Sequence, residues 1–180
     1  MTLYRVFTFD ATARPAGSGG PMFASRSGFG RIGNSDLYHE LYLSSTAAGA
    51  VSEAFGRLDT WTSALFAGRD RPYALAAFYL DDRAAICDLD NAARLLAYGL
   101  APSDVVARDR SKTQAWAARI YKTDRWVGIA WWSRYESGWQ SIGLWDVSNL
   151  QLKGEPERLS VRHAAVQEAA ALLPRRLELS

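Results

Sequence analysis

Three side chains between residues 28 and 58 (GFGRIGNSDLYHELYLSSTAAGAVSEAFGRL) are of types and at spacings that could do chemistry: Arg31, Tyr42 and Glu53. Arg31 lies among Gly28, Gly30 and Gly33, where the backbone is free to adopt positive φ and approach a ligand closely. A guanidinium on such a loop can bind phosphate through paired hydrogen bonds. Glu53 falls beside a helical stripe of Val51, Ala54, Phe55 and Leu58, about two turns into the segment, so a partly buried carboxylate is expected there. Tyr42 alternates with Leu41 and Leu43 and so faces away from them.

The elements that must position these groups follow from local pattern. Residues 37–43 read as a short strand, and Ser44, Ser45 or Thr46 can cap the helix that carries Glu53. Upstream, residues 3–9 (LYRVFTF) read as a strand, residues 11–21 as a Gly/Ala/Pro/Ser loop, and Arg26 as a second candidate anion ligand. Downstream, residues 59–68 continue the helix or form a short lid. Residues 73–80 (YALAAFYL) read as an apolar strand, with residues 84–89 as its hairpin partner. Asp90 or Asn91 caps a helix ended by Gly99, and Ser111 or Thr113 caps another containing Trp116 and Ile120. Residues 126–133 and 141–147 read as strands, Ser160 as the cap of a last helix, and residues 177–179 as a terminal strand. Strands and helices mix without regular βαβα alternation. The expected class is α+β, a single domain over residues 1–180 with mostly antiparallel β-sheets and flanking helices.

Composition narrows the function classes. At 180 residues, 48% apolar and 22% charged, the chain has the make-up of a soluble globular domain with a full core. No apolar run reaches membrane-spanning length, no signal peptide is visible, and Cys87 is the only cysteine, so a cytoplasmic setting is expected. A net charge of +2 gives no electrostatic footprint for nucleic acid. His39 and His163 are far apart and supply no zinc-ligand spacing, no Walker loop is present, and GFGRIG precedes a strand instead of opening a helix, which rules out a dinucleotide fingerprint. His163 reads as a helix-surface histidine. Seven tryptophans, six of them from residue 116 to residue 145, point to a core with a ring-walled pocket as the other use.

The chain resembles the RES domain, the toxin half of RES–Xre toxin–antitoxin pairs. The residues that carry the likeness are LYRV at 3–6, the Gly-Arg loop, LYLSS at 41–45, AVSEAF at 50–55, TQAWA at 113–117, GIAWWS at 128–133, residues 141–146 and the final helix. It departs from the family's usual pattern at Ile32, where a large aromatic is common, and at Asn34, displaced past Gly33. RES domains are similar in fold to ADP-ribosyltransferase toxins, and members consume NAD. The resemblance therefore implies NAD as substrate with no metal, and cleavage of its nicotinamide–ribose bond with water, phosphate or a protein side chain as acceptor. It makes Arg31 the pyrophosphate ligand, Tyr42 a wall for the nicotinamide, Glu53 the carboxylate that stabilises the oxocarbenium-like ribose, and Ser133 a hydrogen-bonding partner of ligand or glutamate. It further implies an Xre-type antitoxin in trans, leaves a homo-oligomer open, and implies neither direct nucleic-acid binding nor membrane association. Two other classes remain: a catalytically inactive RES-like binding module, and an RNA-acting toxin, against which the near-neutral charge argues.

Overall fold

The computed structural model describes residues 1–24 and 28–179, so Arg26 lies outside the described residues. Ten strands and six helices follow in the order β1 (Thr2–Thr8), β2 (Leu41–Ser44), α1 (Ala47–Phe55), β3 (Thr60–Thr62), α2 (Ser63–Ala67), β4 (Tyr73–Leu80), β5 (Ile86–Asp88), α3 (Ala92–Ala97), α4 (Pro102–Val105), α5 (Arg110–Tyr121), β6 (Gly128–Trp132), β7 (Gln140–Leu144), β8 (Leu150–Leu152), β9 (Glu157–Arg158), α6 (Ala164–Leu172) and β10 (Arg176–Glu178). The main sheet runs β5-β6-β7-β2-β1-β4-β8, with β9 also on β4, and every pairing in it except β5–β6 is antiparallel. The class is α+β, as the mixture of elements predicts.

The long β1–β4 ladder, from Thr2 opposite Tyr79 to Thr8 opposite Tyr73, anchors the sheet. Residues 84–89 are not the hairpin partner of β4. One edge of that strand is filled by β1 and the other by β8 and β9, so β5 travels to the far end of the sheet and pairs in parallel with β6. Nor does the chain after α1 stay helical. It leaves the helix at Gly56, forms β3 alongside β10, and enters α2 with the Thr62 hydroxyl accepting from Leu65 N.

Caps come from the short polar side chains, though not always those expected. Thr46 caps α1, its Oγ1 accepting from Gly49 N at 3.0 Å, and Asn91 caps α3. Asp109 caps α5 in place of Ser111 or Thr113, because its carboxylate accepts from Ser111 N, Lys112 N and Ser111 Oγ together. His163, expected on a helix surface, is instead the cap of α6 where Ser160 was expected. Its Nδ1 accepts from Ala165 N, and its Nε2 lies 3.3 Å from Glu157. The strand predicted from residue 37 starts only at Leu41, since residues 34–38 close a turn on the Asn34 carbonyl.

Opposed residues of antiparallel strands share a face, and this places the site. Tyr4 pairs with Ser44, Ser44 with Ser141, and Ser141 with Trp131, while Tyr42 pairs with Gly143. One sheet face thus carries Tyr4, Tyr42, Ser44, Ser141 and Trp131. Over its β1 end pack α1 and α6, burying Val51, Phe55, Val166 and Ala169 with the T-shaped rings of Trp61, Phe66 and Tyr73 around Phe55. Over its β6 end packs α5, burying Trp116 and Ile120 against Ile129, Trp131 and Cys87. The opposite face holds its own core of Leu3, Leu43, Phe78 and Ile142. Between the two groups of helices the floor stays open.

Burial of Cys87 pushes its thiol up to about 11 from an ordinary 9.0, and burial of Tyr38 pushes its phenol up to about 12 from 10.0. Both acids lose protons more readily unfolded than folded, so each contributes a stability that is complete below its ordinary value and is lost as pH rises toward its folded value. From pH 9 to 10 the thiol is in its window and Tyr38 is not, while Arg5, whose guanidinium burial lowers to about 10, opposes the loss as pH nears that value. Stability measured by denaturant midpoint is expected to fall less across that interval in Cys87→Ala than in wild type. A fall of equal slope in the variant would contradict this assignment.

Candidate active site

The open floor is a cleft of about 460 Å³, and Arg31, Tyr42, Glu53 and Ser141 are among the residues that line it. The structure therefore brings three of the four sequence-predicted residues to the cleft wall, and the fourth, Ser133, touches Glu53 from behind.

Glu53 lies in the last turn of α1, one turn before the chain leaves the helix at Gly56. Its carboxylate Oε1 accepts from Ser133 Oγ at 2.8 Å and from Ser141 Oγ at 3.2 Å. Ser133 Oγ in turn accepts from Tyr135 N at 3.2 Å, which leaves its proton for the carboxylate. Ser133 is only 5% exposed and meets Glu53 from below without lining the cleft. Partial burial of Glu53 was the sequence expectation. Instead the residue is exposed, since it projects over the open floor, away from the Val51–Phe55 stripe that enters the core. Arg57, four residues on and the natural ion-pair partner by spacing, lines the same cleft without forming an ion pair with Glu53 among the described residues.

Arg31 is no free loop cation. Its Nη1 donates to the carbonyls of Val105 at 2.7 Å and Ala107 at 2.9 Å, fastening the glycine loop to the segment before α5. Burial and the neighbouring Arg110 pull its guanidinium below the ordinary arginine value, and the charge of Glu53 opposes them. Gln114 on α5 braces the same loop, donating from Nε2 to the carbonyls of Gly28 at 2.7 Å and Gly30 at 3.0 Å. Ile32 is fully buried against Gly143, where a Cβ would meet its Cδ1 at 2.2 Å. An aliphatic side chain after the arginine thus serves as the loop's core anchor.

Tyr42 accounts for Gly30. A Cβ at residue 30 would come within 1.9 Å of the Tyr42 hydroxyl, so the glycine makes room for the tyrosine; of the three loop glycines only Gly28, at φ 65°, is in the left-handed region. The hydroxyl accepts from Ile32 N at 3.1 Å and lies beside the buried Glu40 carboxyl, whose ionisation burial pushes up. Burial likewise raises the Tyr42 phenol. Its ring meets Trp131 edge-on at 6.3 Å, and the two rings share one wall of the cleft.

Sequence reasoning missed the cleft's charge. Among the described residues five arginines line it (Arg5, Arg31, Arg57, Arg110 and Arg134) around the single carboxylate of Glu53, although the whole chain carries only +2. They are scattered from β1 to the loop after β6, so no charge run announced them. Ser141 could have been found, because alternation in β7 puts it on the face of Gly143 and opposite Trp131. Arg110 and Gln114 gave no local signal, being an ordinary first turn and surface of a helix. Such a cleft can hold a polyanion on its rim and stabilise a developing cation at its floor.

Residues 2–167 match the family model of the RES domain. No curated protein sequence matches the chain. Among solved structures, a chain of the M. tuberculosis MbcT–MbcA toxin–antitoxin complex superposes with a TM-score of 0.68 at 21% identity, over 94% of this chain and 88% of that one, a likeness of fold.

Proposed function

The chain belongs to the RES domain family, and from that membership and its cleft we propose that it is a toxin that cleaves the nicotinamide–ribose bond of NAD, with water, inorganic phosphate or a protein side chain as acceptor. The observation that carries the reading is the Glu53 carboxylate, held by two serine hydroxyls in a cleft walled by arginines. The nicotinamide of NAD is already a cationic pyridinium and departs without a general acid. Positive charge develops on the ribose, and a fixed carboxylate stabilises it most once the bound dinucleotide has displaced water. Arg31 binds the pyrophosphate with the N–H groups its backbone contacts leave over, and Tyr42 and Trp131 enclose the ring. Ser133 and Ser141 hold the carboxylate in place.

Each serine should therefore act on turnover more than on affinity. Ser133→Ala is expected to lower kcat about tenfold with KM little changed, the scale of one hydrogen bond to a charged group. Steady-state kinetics with NAD measure this, and a variant of wild-type kcat would remove Ser133 from the mechanism.

Drainage of NAD by its own producer demands restraint. The MbcT–MbcA complex pairs a toxin with an antitoxin. By analogy the partner proposed here is an Xre-type antitoxin in trans, presenting an acidic side chain or C-terminal carboxylate to Arg31 at the cleft mouth. Expression of the chain alone should slow growth with falling cellular NAD, and co-expression of the neighbouring gene should restore both. The exposure of Glu53 favours a second reading, an inactive RES-like module. Normal growth and unchanged NAD, with soluble protein on a gel, would select it.

A further inference from the structure

A second hollow, of about 610 Å³, is lined by Gly28, Phe29 and Gly33 of the glycine loop and shares Arg110 with the cleft. We infer that it is the subsite for the half of the dinucleotide that the reaction leaves intact, with Phe29 as the stacking platform for its purine base and Arg110, which lines both cavities, as the pyrophosphate ligand. The inference rests on the reading of the cleft as an NAD site.

Phe29 lines the hollow and is 85% exposed, more than any other large apolar side chain in the described residues. The ring is open to an occupant, and it does not ride on a slack loop. Gln114 Nε2 grips the carbonyls of Gly28 and Gly30 on either side of it, so the ring is presented from a braced backbone. An aromatic ring held in this way stacks on a heteroaromatic base whatever the base's hydrogen-bonding edge. Acceptors stand nearby for sugar hydroxyls or an exocyclic amine. Asp36 lines the hollow, and Asn34 spends its Nδ2 on Ile32 O, Tyr38 OH and Gln114 O, leaving its Oδ1 to accept.

Arg110 supplies the second, independent observation. Its Nη1 is buried and has no hydrogen-bond partner among the described residues. That nitrogen is closed to solvent; Arg110 lines cleft and hollow through its other atoms, and its charge would attract a phosphate at either. Arg110 and Arg31 lie close enough for their charges to be felt by one another, as a pair gripping one pyrophosphate would.

Kinetics with NAD and with nicotinamide mononucleotide, which lacks the adenylate half, test the subsite. In Phe29→Ala the KM for NAD is expected to rise about tenfold at unchanged kcat, the scale of one lost base stack, and the preference for NAD over the mononucleotide in kcat/KM should fall by the same factor. Phe29→Trp should restore it. The exposed ring bears no core packing, so the alanine variant keeps its fold. Direct titration with AMP separates this inference from the reading it rests on. AMP should bind wild-type protein and bind Phe29→Ala at least tenfold more weakly, whether or not NAD is turned over. Equal KM for NAD in wild type and Phe29→Ala, or equal AMP affinity in the two, would overturn the subsite while leaving the cleft's chemistry to its own test.

Discussion

Glu53→Gln is expected to lower kcat for nicotinamide release on the order of a hundredfold while leaving KM and thermal stability close to wild type. The amide keeps the size of the side chain, and its carbonyl oxygen can still accept from Ser133 and Ser141, so the local geometry survives. Only the charge is lost, and the charge matters only once the ribose has become cationic. An interaction made in the transition state and not in the ground state shows itself in kcat. The exposure of Glu53 strengthens the stability half of the expectation, because no core contact depends on it. Wild-type kcat in this variant would reduce Glu53 to a carboxylate that happens to overhang the cleft.

Arg31→Ala should do the reverse and more. The pyrophosphate contact exists in both ground and transition states, so NAD affinity is expected to fall on the order of fiftyfold, the scale of losing hydrogen bonds to a charged group. The same substitution also frees the Val105 and Ala107 carbonyls, which loosens the loop from the segment leading to Arg110. Some loss of kcat should accompany the loss of affinity. Arg31→Lys keeps the charge but cannot serve two carbonyls and a phosphate with one planar fork, so it should recover only part of the binding. Arg26→Ala is the matched control. A large rise in KM there, with none in Arg31→Ala, would exchange the two roles.

Much of the frame was legible because it is written in local chemistry. The Val51–Phe55 stripe and the run of polar residues before it announce α1, and alternation around Tyr42 assigns its face before any partner strand is known. What was not legible depends on contacts between distant residues. The edge that β5 takes is decided by whether β4 has a free side, and nothing in residues 84–89 records that β8 and β9 have filled it. Gly30 reads as freedom for a ligand but is the space that the Tyr42 hydroxyl occupies. His163 has the composition of a helix surface and the geometry of a cap. The arginines of the cleft are evenly spread in sequence and become a cationic wall only when the sheet and both groups of helices close around them. Arg31, Tyr42, Glu53 and Ser133 were singled out together by resemblance. In the structure Arg31, Tyr42 and Glu53 line one cleft, and Ser133 reaches it only through its hydrogen bond to Glu53.

The central claim is that this cleft breaks the nicotinamide–ribose bond. Incubation of the purified wild-type chain with NAD, with and without inorganic phosphate, followed by chromatography of the products, tests it directly. The expected result is free nicotinamide appearing in step with loss of NAD, slowed on the order of a hundredfold in Glu53→Gln, with the remaining ADP-ribose free, phosphorylated or attached to protein. Folded wild-type protein that leaves NAD intact under each condition would contradict it.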